Sequence, residues 1–188
     1  LRSLLGKHVQ QKGSLVDPDR LRFDFSHFEA IPEASLHAIE DLVNEQILAD
    51  APLSVFETDM DGARAQGAMA LFGEKYGDNV RVVQVPGFST ELCGGTHCDA
   101  TGQIGLLKIT SEAGIASGVR RIEAITGRRA FQYLRRLETE QRSLASLLKT
   151  GRDETITKVE RLVEDRKALR RQVEDLKQHK ISALPEMA

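Results

Sequence analysis

The sequence predicts an α+β fold in which a largely antiparallel sheet packs with helices and is followed by a long helical hairpin or coiled-coil appendage. Up to residue 127, short alternating or β-branched apolar stretches interleave with segments of helical spacing. They lack the regular βαβ rhythm of a parallel sheet, and no phosphate-loop glycine motif is present. From Arg128 onwards the sequence is charged, helix-forming and nearly free of glycine. We therefore expect two regions, residues 1–127 and 128–188.

Apolar spacing predicts the elements of the first region in chain order. The stretch LRSLLGKHV opens the chain with leucines at helical spacing, and a hairpin over residues 14–26 turns at Asp17-Pro18-Asp19. Pro32 lies in the first turn of an amphipathic helix that ends at Asp50. The remaining predictions are a strand at 53–57, a helix at 60–72, and strands at 80–85, 104–112 and 119–126. The last two strands complete the sheet, and the small residues between them form either a loop that approaches a ligand or an ordinary hairpin turn.

The sequence of the second region predicts helices that carry an apolar stripe. Leucines recur at 3-4 spacing up to Leu148, Gly151 interrupts the pattern, and the spacing resumes at Val159. Because Asp153 can cap a new helix, an αα-hairpin is favoured, and one continuous helix that dimerises with a second copy is the alternative. A basic series enters this region as either a phosphate-facing stripe or a solvated helix face: Arg120, Arg121, Arg128, Arg129, Arg135 and Arg136.

Composition excludes several classes of protein. The 188 residues carry a formal net charge of −2, which argues against a general nucleic-acid-binding surface. No apolar run approaches the ~20 residues of a membrane span. The chain has two cysteines, Cys93 and Cys98. A disulfide between them is conceivable, but their position beside a histidine favours reduced thiols in a cytoplasmic protein, with Cys93 binding metal and Cys98 as a spare thiol.

The densest chemical signal is the motif Cys93-Gly94-Gly95-Thr96-His97. Its thiolate and imidazole are two of the four ligands that tetrahedral zinc prefers, and the glycine pair between them allows the backbone to fold tightly. The other histidines stand singly, without a second histidine three or four residues away: His8, His27, His37 and His179. The motif alone therefore provides half of a zinc site.

The motif is part of a longer stretch, FSTELCGGTH over residues 88–97, that resembles the signature of the editing domain of alanyl-tRNA synthetases. Further stretches carry the same resemblance: GKHVQQKGS from Gly6, LRFDFSH from Leu21, GAMALFGEKYG from Gly67 and GVRRIEA from Gly118. The resemblance covers residues 1–127, and the helical remainder also suits this family. It implies an aminoacyl-tRNA deacylase domain of a ligase, which hydrolyses mischarged seryl- or glycyl-tRNA(Ala) in protein biosynthesis.

The resemblance also implies a site. Zinc in this family has four ligands, two from an H-x3-H helix and two from the loop matched by Cys93 and His97. We expect the helix pair upstream of Leu1, so residues 1–188 are interpreted as a fragment with little zinc and little activity. Gln11 matches a pocket position of the family and would orient the ester or the attacking water; the alternative is an ordinary hydrogen bond at a strand end. Thr96, in the same loop as the ligands, is the second candidate catalytic group, unless it only caps the turn. Arg120 lies in a segment that resembles the family's pocket and is expected to bind substrate together with Gly94 and Gly95, with its fork on ribose or phosphate oxygens.

Three further expectations follow from the resemblance. Because four protein ligands fill the tetrahedron, zinc is expected to anchor the substrate and shape the pocket rather than to generate hydroxide. The partners are the acceptor end of tRNA(Ala) and the aminoacylation and C-terminal domains of the same full-length chain, with a homodimer through the helical segment left open. The alternatives are a freestanding editing protein and a non-catalytic, zinc-stabilised tRNA-binding module, and the helical segment after Arg128 favours the synthetase over the freestanding protein.

Overall fold

The computed structural model describes residues 1–69 and 77–182, with side chains up to residue 180. Its strands are β1 (Gln11–Val16), β2 (Leu21–Ser26), β3 (Ser54–Asp59), β4 (Asn79–Val85), β5 (Ser89–Leu92), β6 (Leu107–Ala116) and β7 (Val119–Thr126). Its helices are α1 (Arg2–Leu5), α2 (Glu33–Leu48), α3 (Met60–Ala65), α4 (Gly127–Leu147) and α5 (Thr155–Ser182), with a 3-10 helix at Thr101–Ile104. The chain divides into two compact units, Leu1–Tyr133 and Leu134–Ala188.

The first sheet of the first unit has the strand order β1-β2-β7-β6, and its pairings are antiparallel. Alternation along β2 turns Phe25 inwards, where it is fully buried with Val9, Ile31, Ile39 and Ile122 under α2. The predicted hairpin of β1 and β2 is confirmed. The loop between β6 and β7 is a tight turn whose Gly118 has a φ of 67°, so it is an ordinary hairpin turn.

The second sheet has the order β3-β4-β5, again antiparallel. Its core consists of Ala63, Val80, Val82 and Leu92. The sequence predicts one sheet, and the structure forms two, although the α+β class with antiparallel pairing is confirmed. Strand β5 is not predicted, because the sequence Ser-Thr-Glu-Leu carries no apolar alternation long enough to indicate a strand.

Helix α3 is shorter than its sequence predicts. The Asp59 side chain accepts a 2.6 Å hydrogen bond from the Gly62 amide and so caps its start. Gly67 has a φ of 74°, a left-handed conformation that leaves the helix just after Ala65. The predicted end at residue 72 lies outside the described residues.

Two polar side chains of α2 bind the backbone of β6. The buried Glu40 carboxylate accepts hydrogen bonds from the Lys108 ammonium at 2.8 Å and from the Ile109 amide at 2.5 Å. One turn further on, the Asn44 amide accepts from the Leu107 N–H at 2.8 Å and donates to its carbonyl at 2.9 Å. The apolar face of α2 is predicted from sequence, whereas these polar contacts are not. They fix α2 against the sheet that carries Gln11 and Arg120.

The outer face of the first sheet carries a bidentate ion pair. Asp24 on β2 lies opposite Arg121 on β7, and the guanidinium donates to its two carboxylate oxygens at 2.7 and 2.8 Å. These hydrogen bonds from Arg121 hold the pKa of Asp24 below its ordinary value. The ionised pair therefore contributes to folding at neutral pH.

The second unit contains the break that the sequence predicts between its helices. α4 ends at Leu147, Lys149 takes a φ of 50°, and α5 begins at Thr155, so one continuous helix through this segment is wrong. The first i→i−4 hydrogen bond of α5 runs from the Lys158 amide to the carbonyl of Glu154, rather than to that of Asp153. The apolar stripe of α5 remains largely exposed, at 60% for Leu169 and 65% for Leu176, and a homodimer through it stays a prediction.

Carboxylates of the second unit accompany its arginines. Arg142 binds Glu138 at 2.8 Å, Arg152 binds the same carboxylate at 3.4 Å, and Arg136 binds Glu140 at 3.6 Å. Of the predicted basic series, Arg136 belongs to this pairing, and Arg129 binds Asp19 in the first unit. Carboxylate partners at these two helix positions favour a solvated helix face over a phosphate-facing stripe there. Within residues 1–69 and 77–182, no helix combines the length and the apolar character that a membrane span requires.

We expect Glu40→Ala to lower the free energy of unfolding of the first unit by about 2–3 kcal/mol, because it leaves the Ile109 amide and the Lys108 ammonium without their acceptor. Chemical denaturation at pH 7 measures the loss. Glu45→Ala, an exposed position of the same helix, is the matched control and should change stability by less than about 0.5 kcal/mol. Equal effects of the two substitutions would contradict the role given to Glu40.

The Asp24–Arg121 pair predicts a pH dependence of stability. Since the pKa of folded Asp24 lies below its ordinary value of 3.8, its stabilising contribution is complete well above that pH and is lost as the pH falls through the lowered pKa. Arg121→Gln should therefore destabilise the first unit more at pH 7 than at pH 3. Urea denaturation at both pH values tests this, with Arg142→Gln on α4 as the control, and a loss that is the same at both pH values would contradict the assignment.

Candidate functional site

The predicted metal loop leaves the second sheet at the end of β5. The Cys93 amide donates to the Arg81 carbonyl at 3.1 Å, one residue pair beyond the last register pair, Val82 with Leu92. The Arg81 guanidinium nitrogen Nη1 donates to the carbonyls of Cys93 and Gly95, both at 2.7 Å, and to Nδ1 of His97 at 3.3 Å. The same guanidinium therefore contacts the main chain of Cys93 and the imidazole of His97.

The donor set of this loop fits half of a zinc site. Cys93 is a half-buried free thiol and His97 is exposed, and thiolate with imidazole is a combination that zinc prefers. Among the described residues, no group of three or more histidine, cysteine, aspartate or glutamate side chains is arranged to hold a metal ion. Cys98 is also a free thiol. The loop thus offers two ligands of a tetrahedral site.

The glycine pair of the loop is not required by the local fold. Neither Gly94 nor Gly95 has a positive φ. No described atom lies within 4 Å of a Cβ built on Gly94, and a Cβ on Gly95 would meet the Cys93 sulfur at 3.7 Å, an ordinary contact. Neither position therefore uses the left-handed conformation that would require glycine, and the expectation that the pair permits a tight turn stays a prediction. They leave an open surface without side chains at two of the three positions between the predicted ligands.

Arg120 and Gln11 lie in the first sheet, on either side of Phe25, with which both are in register. The Arg120 guanidinium is bound in a fork by the Glu112 carboxylate, with Nη2 to Oε2 at 2.9 Å and a second bond from Nε to Oε1. The two side chains are only 14% and 7% exposed, and the hydrogen bonds that Arg120 donates to Glu112 raise the pKa of Arg120 above its ordinary value. The predicted substrate fork therefore already holds a carboxylate. Gln11 donates to the Ser14 hydroxyl at 3.3 Å.

The predicted site residues thus fall into two groups. Gln11 and Arg120 belong to the first sheet, whereas Cys93, Thr96 and His97 follow the second, and Thr96 is exposed. No hydrogen bond or ion pair within the described part of the chain joins the two groups.

Sequence reasoning missed two charged residues at these positions, Arg81 and Glu112. Arg81 stands alone among the valines of β4, and an isolated charge in a β-branched strand is the signal that indicates it. Glu112 lies near the end of a predicted strand, and nothing in its sequence neighbourhood indicates a partner eight residues further on.

Comparison of the sequence with known proteins shows which family it resembles. The profile of the "Threonyl and Alanyl tRNA synthetase second additional domain" matches residues 80–123, from β4 through the Cys93–His97 loop to β7. "Alanine--tRNA ligase" of Pseudomonas fluorescens is 56% identical over 184 residues, which cover 97% of this chain and 21% of that protein.

Further relatives agree. "Alanine--tRNA ligase" of Pseudomonas syringae pv. tomato is 53% identical over the same shares of the two chains. The protein of that name from Hydrogenovibrio crunogenus is 55% identical over 94% of this chain and 20% of its own length. The chain therefore spans about a fifth of the length of the curated relatives that it matches. With more than half of its residues identical over nearly its whole length, the chain belongs to the alanine–tRNA ligase family and carries the second additional domain of that family.

Proposed function

We propose that this chain carries the editing site of an alanine–tRNA ligase, which hydrolyses the ester of seryl- or glycyl-tRNA(Ala). The observation that carries the proposal is that one guanidinium binds the main chain of Cys93 and the imidazole of His97, within the segment that matches the family profile. A thiol and an imidazole on one short loop at an open surface fit a metal-assisted hydrolase site better than a purely structural loop.

A separate hydrolytic site answers a limit of the synthetic reaction. Glycine is smaller than alanine, and one missing methyl group in an apolar pocket is worth only about 1–3 kcal/mol of discrimination. A hydroxyl added to alanine is also rejected poorly by such a pocket, so serine enters. Hydrolysis at a second site removes both errors after transfer to tRNA(Ala).

Zinc would be held by Cys93 and His97 together with two histidines that we expect upstream of Leu1 in the full-length ligase. When bound, the metal would supply a fixed positive charge that anchors and polarises the substrate. Cys93 and His97 then hold this charge beside the open surface of Gly94 and Gly95. The absence of side chains there would let an aminoacyl ester approach the loop closely.

The remaining predicted residues would act on the substrate itself. The Gln11 amide and the exposed Thr96 hydroxyl would orient the ester or the attacking water. Arg120 can grip the tRNA only by exchanging Glu112 for a phosphate or ribose oxygen, because its fork is filled. Glu112 would then hold Arg120 in its orientation until the acceptor end of the tRNA arrives.

The high identity to full-length ligases, of which this chain spans about a fifth, supports an editing domain within a synthetase over a freestanding editing protein. A non-catalytic tRNA-binding module is the other candidate. If the chain is part of a synthetase, the aminoacylation and C-terminal domains would be its partners in the same polypeptide.

We expect Cys93→Ala in the full-length ligase to reduce hydrolysis of seryl-tRNA(Ala) by about 100-fold or more, because it removes a metal ligand. Loss of a residue that only hydrogen-bonds a metal ligand typically costs about 10–100-fold, and loss of the ligand itself should cost more. Deacylation of purified seryl-tRNA(Ala) measures the effect, and Cys98→Ala is the matched control, with activity close to the unaltered enzyme. Charging of tRNA(Ala) with alanine should be unchanged in both variants. Ester loss that is the same with and without the unaltered enzyme would leave only the binding-module alternative. Full hydrolysis by Cys93→Ala would remove Cys93 from the hydrolytic site.

The open surface at Gly94 predicts an effect on activity without an effect on folding. Gly94→Ala places a methyl group where no described atom lies within 4 Å, so stability should change by less than about 0.5 kcal/mol. Hydrolysis of seryl-tRNA(Ala) should fall at least about tenfold if the ester approaches the loop backbone there. Thermal unfolding and deacylation together test this. Full activity with unchanged stability would remove Gly94 from the substrate surface.

A further inference from the structure

One side chain supplies the hydrogen bonds of the loop that carries the predicted ligands. The loop has no regular secondary structure between Cys93 and Cys98. In the described part of the chain, each hydrogen bond to a residue from Gly94 to Cys98 comes from Arg81. The Arg81 carbonyl also accepts from the Cys93 amide, so main chain and side chain of the same residue bind the start of the loop.

The distances rank the contacts of Arg81. Nη1 carries two hydrogens and has three acceptors within reach. The carbonyls of Cys93 and Gly95, both at 2.7 Å, take the two short bonds, and Nδ1 of His97 at 3.3 Å receives the weakest. The main effect of the guanidinium is therefore on the shape of the backbone between the two ligands.

Electrostatics do not account for an arginine at this position. A guanidinium is permanently charged and would repel a metal cation held by the adjacent thiol and imidazole. Its placement is accounted for by geometry, because two carbonyls two residues apart are both bound by one nitrogen. The β-branched strand that carries Arg81 is rigid, so the loop is ordered against a fixed support.

We propose that Arg81 is a positioning residue that orders the Cys93–His97 loop before the metal binds. This inference rests on the proposed function, since it assigns Arg81 to the same site. A flexible loop must lose conformational freedom when its two ligands converge on a metal, and a loop already held by Arg81 has lost that freedom during folding. Arg81 thus raises metal affinity without coordinating the metal.

The test uses the full-length ligase with Arg81→Gln, Arg81→Lys and, as the matched control, Arg64→Gln, an exposed arginine on α3 of the same unit. Zinc affinity is measured by competition with a chelator, and amide hydrogen exchange reports the loop directly. We expect Arg81→Gln to weaken zinc binding by about 10–100-fold and to accelerate exchange at residues 94–98. Arg81→Lys, which keeps one donor and the charge, should restore part of the affinity, and Arg64→Gln should behave as the unaltered enzyme.

Several outcomes decide the matter. An unfolding temperature within a few degrees of that of the unaltered enzyme shows that Arg81→Gln is folded. If Arg81→Gln does not fold, the zinc affinity and hydrogen exchange of Arg81→Lys provide the second test. Unchanged or tighter zinc binding with unchanged exchange would overturn the Arg81 inference alone, the tighter value indicating that the guanidinium repels the metal. Absence of zinc from the unaltered ligase would overturn the proposed metal site, and with it the metal role of Arg81.

Discussion

The shape of the candidate site depends on the hydrogen bonds between Arg81 and the loop from Cys93 to His97. The loop lies beyond the last paired residues of the second sheet, so the ladder of backbone hydrogen bonds no longer defines its path. Arg81 replaces that ladder with its own carbonyl and guanidinium. The strand that packs Val80 and Val82 into the core thereby also holds the main chain of Cys93 and the imidazole of His97, which couples the packing of the sheet to the geometry of the loop.

Arginines also make specific hydrogen bonds in the first sheet. Arg120 and Arg121 are consecutive residues of β7, so their side chains point to opposite faces, and each is bound in a fork by a carboxylate. Arg121 stabilises the outer face through Asp24. Arg120 is held by Glu112 on the face that also carries Phe25, where an arginine without a partner would be costly. A role for Arg120 in binding tRNA therefore requires an exchange of partners rather than a free guanidinium.

The sequence predicts the elements of this fold where their signal is local. The β1–β2 hairpin, the helix after Pro32 and the break near Gly151 follow from alternation, a proline in the first turn and a helix breaker. What depends on contacts distant in the chain is not predicted: the separation into two sheets, the strand Ser89–Leu92 and the burial of Glu40. The candidate ligands Cys93 and His97 are indicated by their spacing, but Arg81 is twelve residues from Cys93, and only the pairing of β4 with β5 brings it to the loop.

The contacts of α2 with β6 have a consequence for the behaviour of the protein at high concentration. β6 is an outer strand of its sheet, and such strands expose unpaired backbone groups that invite pairing with another chain. Asn44 binds both polar groups of Leu107, and Glu40 binds the amide of Ile109, so side chains of a helix stand where a further strand would lie. The first residues of β6 are thus closed to edge-to-edge aggregation between copies, a protection that the apolar pattern of the strand alone does not provide.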